Sequence, residues 1–497
     1  MKKLFSLLLA ATMTFSLTLP ALADHYTYSE PEKSTMMPRS TPETHGMSSQ
    51  YILDLLDAFD YADAEVHNIL MAIDGEVVFE GHYAPYTALD PHIMFSGTKI
   101  FTNAAVGVAV TEGYLHLDDY VYDVLKDYVT QDVSELQSKV QLKHLLTMTS
   151  GVDRFMSGSE LRPLTTSWIE HILTEPIVHE PGTYYLYSSG NTMLSSAMVT
   201  VATGKTCLDL LNTTGFCEEL GIKITAEDLA KVGQLYMNGG VWNGKQILSK
   251  EWCDLAIGYE KTVENQGDYA YHWTSYEDGL YYTATGSYGQ TLAICPKLNM
   301  VIAIQAGTKQ NIGELLYQNI FKPYGDALDA GTVPEPDDAL SAALAKRAEN
   351  LNLMFTTDFT ASPIGELVDD VTFTAAENQY GITTLSLDVH DDYIDYTMTD
   401  ARGTHTIRNG IWQWLKGETS MTSNYTHHQY QYPTEPVYAY AEWKDANTLQ
   451  LTWRFPELAF VDTLTLTFSD DGSQIGMVRS VNVNSGPLVC DEVVFTK

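Results

Sequence analysis

Cysteine, basic side chains and long apolar runs are all scarce in this chain. The five cysteines, Cys207, Cys217, Cys253, Cys295 and Cys490, are far apart, odd in number and without a CxxC pair. That speaks against a disulfide framework or a zinc site and for buried thiols, with a Cys207–Cys217 bridge the one pairing left open. Lys and Arg number only 28 against 64 Asp and Glu, a formal net charge of −36. Phosphate backbones and anionic lipid repel such a polyanion, so nucleic acid is a poor partner. After Leu22 no apolar run is long enough to span a bilayer, and no internal repeat of fixed period is present. What remains is ordinary: 44% hydrophobic and 11% aromatic residues, with 34 Gly and 18 Pro, exclude a disordered or collagenous chain.

At 497 residues the chain is too long for one core, which predicts at least two domains. Lys2 and Lys3, an apolar stretch over residues 4–19 and Ala21-Leu22-Ala23 before Asp24 form the three-part pattern of a secretory signal peptide cleaved after Ala23. Thr12, Thr14, Ser16 and Thr18 interrupt the apolar stretch, which argues against a retained anchor, and no cysteine at the cleavage point offers lipid attachment. The expected location is secreted or extracytoplasmic.

Leu53, Leu55, Leu56 and Phe59 mark a helix beginning near Tyr51. Residues 69–73 and 77–79 read as strands joined by a tight Asp74-Gly75 turn. Helical patterning dominates residues 98–255, and strands return at 281–284, 291–295 and 300–304. Strands at both ends and helices between them predict one antiparallel sheet flanked by helices, an α+β domain. Residues 322–338, rich in Pro, Gly and acid, read as a linker, and residues 339–353 as a helix. After Asp358, short alternating runs separated by Asp, Gly and Asn turns predict an all-β barrel or sandwich of about 130 residues. The expected division is a signal peptide at 1–23, a first domain at 24–325, linker and helix at 326–357, and a β-rich domain at 358–497.

Phe95-Ser96-Gly97-Thr98-Lys99 precedes an apolar helical run ending near Gly113. Ser96 therefore stands at a helix start, and Lys99 lies on the same face one turn later. A serine hydroxyl becomes a nucleophile when a neighbouring base takes its proton, and a partly desolvated lysine can be that base. A helix N-terminus adds N–H groups facing developing negative charge. Taken alone, the spacing far more often marks an N-cap serine with a solvated lysine.

Three further segments extend this one: Glu112-Gly-Tyr-Leu-His-Leu-Asp-Asp119, His144-Leu-Leu-Thr-Met-Thr-Ser-Gly151, and the run from Asp228 to Ile247. Together with Ser96-Gly-Thr-Lys99 they resemble, in order across residues 45–325, the serine β-lactamase and penicillin-binding-protein superfamily. The branch most similar is the class C β-lactamase-related hydrolases, which include esterases, D-aminopeptidases, D-alanyl-D-alanine carboxypeptidases and 6-aminohexanoate-dimer hydrolase. The resemblance implies a β-lactamase/transpeptidase-like first domain, and for the second a lipocalin-like barrel of the kind attached to some members.

In the place of the family's Tyr-x-Asn motif stand Tyr187-Ser188-Ser189. The resemblance makes Tyr187 a proton relay and Ser189 a substrate contact. The exchange of Asn for Ser, shared with relatives of the 6-aminohexanoate-dimer hydrolase type, implies altered specificity. The third motif, Lys-Thr-Gly or His-x-Gly, corresponds to Ala284-Thr285-Gly286 followed by Ser287. It implies substrate contacts at Thr285 and Gly286, and an oxyanion hole from the N–H groups of Ser96 and Ser287. Ala284 removes the cation that would bind a penicillin or peptide carboxylate, a loss of about 1.5–3 kcal/mol in recognition. The run from Phe216 to Thr225 directly joins what relatives separate by a longer stretch, implying a more open pocket.

His427-His428 have no further ligand at metal spacing and read as a surface strand. Trp412, Trp414, Trp443 and Trp453 read as barrel core ahead of a carbohydrate platform. The resulting expectation is an exported serine hydrolase that cleaves a small-molecule or peptide ester or amide through a Ser96 acyl-enzyme. Lys99 and Tyr187 would handle protons, and no metal or cofactor is implied. The alternatives are a β-lactamase or D-Ala-D-Ala carboxypeptidase, and a non-catalytic protein binding a cell-wall ligand.

Overall fold

The computed structural model describes residues 36–214, 224–258, 263, 265, 268–332, 334–353, 361–423, 425–428, 430 and 432–497. The leader at 1–23, Cys217 and residues 216–223 of the short Phe216–Thr225 join lie outside them.

Helix α1 (Ser49–Tyr61) is capped by the Ser48 side chain, which accepts from the Gln50 N–H. Strands β1 (Val66–Ile73) and β2 (Glu76–His82) follow as the expected hairpin. Asp74 and Gly75 both have positive φ, 53° and 79°, the twist that a two-residue turn between right-twisting strands requires. After a long helical excursion come β3 (Tyr269–Ala270), β4 (Trp273–Tyr276), β5 (Tyr281–Gly286), β6 (Gln290–Cys295) and β7 (Met300–Ala306). They form one antiparallel sheet in the order β2-β1-β7-β6-β5-β4-β3. The first and last strands of this sheet in chain order thus meet at β1–β7.

Every residue of β1 and β7 is buried, because the sheet is covered on both faces. Leu70, Ala72, Leu292 and Ile294 face a helical layer that includes α2 (Lys99–Thr111), α3 (Ser189–Thr203) and α4 (Ala226–Met237). Ile69, Met71, Ala293 and Cys295 face α1 and the helices after β7. Period-two alternation between two apolar layers explains the unbroken hydrophobic runs.

Residues 322–338, read as a linker, are helical over α5 (Lys322–Asp329). Pro323 sits in the helix's first turn, where it is tolerated. Tyr324 is buried and donates to the His45 carbonyl at 2.7 Å. That tertiary anchor outweighs the breaker-rich composition. Helix α6 (Asp338–Glu349) then packs on α1 and β2.

The C-terminal strands are β8 (Val371–Ala375), β9 (Thr384–Val389), β10 (Tyr393–Asp400), β11 (Gly403–Ile411), β12 (Leu415–Thr419), β13 (Glu435–Asp445), β14 (Thr448–Arg454), β15 (Val461–Phe468), β16 (Gln474–Val481) and β17 (Val493–Thr496). Their order is β11-β10-β9-β8-β17-β16-β15-β14-β13-β12. A short parallel pairing of β11 with β13, Gly410 opposite Tyr440 and Ile411 opposite Ala441, closes nine of them into a barrel, with β12 carried on the same edge of β13. Closure removes the exposed strand edges. Trp443, Trp453, Phe373 and Phe455 fill the interior, while Trp412 is exposed.

The histidine pair departs from the surface strand expected of it. His427 is fully buried in a turn, with Nε2 2.8 Å from Asp462 Oδ1, and His428 follows at φ 50°. Of the cysteines, Cys253, Cys295 and Cys490 are buried free thiols, whereas Cys207 is half-buried and free.

Candidate active site

The chain enters α2 through a 3₁₀ turn over Phe95–Thr98. Ser96 and Lys99 are therefore a turn apart on one face, and Lys99 Nζ donates to Ser96 Oγ at 3.1 Å. The same Nζ lies 5.2 Å from the centre of the Tyr187 ring. The three side chains thus meet at the entrance of α2.

Beside them opens a cleft of about 380 Å³, lined by Ser96, Tyr187, Tyr269, His272, Thr274, Thr285, Gly286 and Ser287. Thr285, Gly286 and Ser287 arrive at the end of β5, alongside the Phe95–Thr98 turn. The approach is tight: a Cβ on Gly286 would fall 1.9 Å from the Met94 carbonyl oxygen, so only glycine fits there. Ser189 does not line the cleft. It opens α3, and its N–H is taken by the Met156 carbonyl at 3.1 Å. Ala284, one residue before the cleft on β5, is buried against the helical layer and brings no charge.

Tyr269, His272 and Thr274 also line the cleft, and no sequence pattern pointed to them. His272 is fully enclosed, with Nε2 3.2 Å from Thr192 Oγ1. Burial, with Lys99 beside it, pushes its imidazole down to about 3. It is therefore neutral at ordinary pH and a far weaker base than an amine. Burial, with the phenols of Tyr187 and Tyr185 beside it, holds Tyr269 well above the usual phenol range, so it remains protonated.

Four large residues around the cleft adopt left-handed backbone: Phe95 (φ 45°), Tyr271 (51°), His272 (67°) and Tyr288 (64°). Each costs of the order of 1–3 kcal/mol, a strain that persists only where the surroundings over-determine it. Two of these residues immediately flank Ser96 and Ser287. Tyr271 is held at both backbone groups: its N–H donates to Leu146 O at 2.8 Å, and its carbonyl accepts from Asn103 Nδ2 at 2.8 Å. Asn103, buried one turn after Lys99 on α2, in turn accepts from Trp252 Nε1 at 3.1 Å and from the Tyr236 hydroxyl.

Away from the cleft, Glu160, His171 and Glu175 have metal-ligand spacing among the described residues. The Arg154 guanidinium already bridges the two carboxylates, at 2.8 Å to each. No helix among the described residues is long and apolar enough to cross a membrane.

The Beta-lactamase family model matches residues 67–216, which contain Ser96, Lys99 and Tyr187. Over that stretch the chain carries a Beta-lactamase family domain. It is similar to the 6-aminohexanoate-dimer hydrolase of Paenarthrobacter ureafaciens, 24% identical over 274 residues, covering 46% of this chain and 69% of the relative. Among solved structures it is similar to an octameric penicillin-binding protein homologue from Pyrococcus abyssi (15% identity, TM-score 0.43, covering 90% of this chain and 99% of that one). A penicillin-binding protein from Bacillus halodurans is similar at 17% identity and TM-score 0.43, covering 53% of this chain and 97% of its own.

Proposed function

We propose that the chain is an exported hydrolase of esters or amides that works through an acyl-enzyme on Ser96. The observation that carries this reading is the 3.1 Å contact between Ser96 Oγ and Lys99 Nζ at the edge of an open cleft. Ser96 Oγ attacks the substrate carbonyl carbon, and its proton passes to Lys99 in the neutral amine form. The N–H groups of Ser96 and Ser287 receive the oxyanion of the tetrahedral intermediate. Collapse expels the alcohol or amine, which takes its proton through Tyr187 and Lys99. Water then attacks the Ser96 ester, its proton follows the same route in reverse, and the acid leaves with Ser96 restored. His272 takes no proton in this scheme, because its low basicity disqualifies it.

The substrate class follows from charge. Ala284 contributes no cation where a carboxylate would be gripped, and the cleft is lined by hydroxyls, phenols and a neutral imidazole. That favours uncharged esters and amides over penicillins and D-Ala-D-Ala peptides. Ser96→Ala should abolish p-nitrophenyl ester hydrolysis and covalent labelling by a fluorophosphonate with the fold intact by circular dichroism. Turnover that survives this substitution, or nitrocefin turned over faster than the esters, would overturn the reading.

A further inference from the structure

The two peptide segments that carry the proposed oxyanion donors are each followed or preceded by an aromatic residue whose ring leaves the first domain and meets the barrel. Phe95, just before Ser96, and Tyr288, just after Ser287, pack edge-to-face on one another at 5.3 Å. Both rings then contact the same two barrel residues. His428 stands edge-on to Phe95 at 5.8 Å and to Tyr288 at 5.6 Å, and Phe460 lies 6.2 Å and 5.9 Å from them. The Tyr288 hydroxyl is 3.0 Å from His428 Nδ1. His428 is fixed in turn by its own N–H, which donates to Asn484 Oδ1 at 3.0 Å inside the barrel domain. Phe95, Tyr288 and His428 all sit in left-handed backbone, a strain that persists only where the surroundings hold it.

We infer that His428 is a positioning residue for the hydrolase reaction: the barrel, through His428 and the Tyr288 hydroxyl, sets the spacing of the Ser96 and Ser287 N–H groups. This rests on the Ser96 acyl-enzyme reading and deepens it, since it makes the C-terminal barrel a structural part of the active site. An oxyanion hole works by donors held in place before charge develops, so loosening one shows in turnover and not in substrate capture.

The test uses the full chain, with kcat expressed per Ser96 titrated by fluorophosphonate. His428→Ala and Tyr288→Phe should each lower kcat about three- to ten-fold, the worth of one hydrogen bond, with KM changed less than about two-fold. The double variant should lose less than the two single losses combined, because both changes remove the Tyr288–His428 hydrogen bond. His428→Asn should restore kcat: its Oδ1 can stand where Nδ1 stood, and Asn tolerates the left-handed backbone. A purely structural role would lower the thermal midpoint and the titrated fraction while leaving kcat per titrated site unchanged, and that result overturns the inference. Additive losses, or an Asn variant as slow as Ala, overturn it too. A wild type that labels normally while His428→Ala turns over equally fast defeats the positioning role alone. A wild type that neither labels nor turns over defeats the Ser96 reading and this inference with it.

Discussion

Lys99 reaches Ser96 because three residues along a helical path return a side chain to the same face, and at 3.1 Å the pair is within proton-transfer reach. In the proposed scheme Lys99→Met keeps the helix and most of the side-chain volume but removes the base. Its kcat/KM on p-nitrophenyl esters should fall by about 10²–10⁴, with the thermal midpoint nearly unchanged. Gly286 is the opposite kind of residue, one that matters for the room it leaves. Gly286→Ala forces β5 away from the Met94 carbonyl and should cost about 1–3 kcal/mol in urea unfolding, with esterase activity lost along with the geometry. The SxxK and glycine positions were legible in the sequence as candidates. Tyr269 and His272 were not, since nothing in a Tyr-Ala-Tyr-His-Trp run announces two consecutive left-handed residues.

Helix α2 does more than present Lys99. One turn on, Asn103 ties the Tyr271 carbonyl, Trp252 and Tyr236 to the helix, and so holds the strained turn that places His272. Asn103→Ala leaves a buried indole N–H, a phenol and a carbonyl without this partner. Equilibrium urea unfolding should report a loss of about 2–4 kcal/mol, with the ester kcat falling as well. Element types came through clearly where the period was strong, as in the β1–β2 hairpin, α1 and the strands β5 to β7. The 322–338 stretch opens as a helix, Lys322–Asp329, for a reason no local rule contains, the burial of Tyr324 against His45. His427 failed likewise, because its partner Asp462 lies 35 residues away.

At the scale of the molecule, first domain and barrel are joined by buried charge as well as by the aromatic contacts. Arg454 donates to Glu65 Oε1 at 2.6 Å, Glu65 contacts His67 at 3.0 Å, and His67 contacts His92 at 2.9 Å. Burial alone would raise the Glu65 carboxyl, but the Arg454 charge and the hydrogen bonds from His67 and Arg454 outweigh it and hold Glu65 at about 2. Its stabilising contribution is full above the unfolded value near 4.5 and is lost as pH falls toward 2. Arg454→Met strands that carboxylate and should cost about 3–5 kcal/mol at pH 7 by urea unfolding. The buried histidines act at milder pH. Burial pushes His92 and His272 to about 3 and His144 to about 4, so unfolding takes up their protons below about 6.5. Glu435 works in the other sense: burial and Glu457 raise it to about 8, so it releases a proton on unfolding between about 4.5 and 8. Near pH 5 these four groups leave a net uptake of about two protons, a slope of about 2.7 kcal/mol per pH unit that falls away toward pH 6.5. Stability should therefore rise from pH 4.5 to about 6.5 and decline gently toward 8, which a series of thermal midpoints would show. His92→Gln should flatten the acid limb.

Residue order alone determined the elements and the motif-bearing positions, because period, turn chemistry and helical spacing are local and survive without a partner. It also determined that the chain would form an antiparallel α+β domain followed by β strands. Tertiary structure decided the rest: a short β11–β13 pairing that closes the barrel, a tyrosine that makes a helix of an apparent linker, and a histidine from the barrel beside the first domain's cleft. Those outcomes depend on contacts between residues tens to hundreds of positions apart, and no local pattern encodes which of many possible partners a side chain will meet.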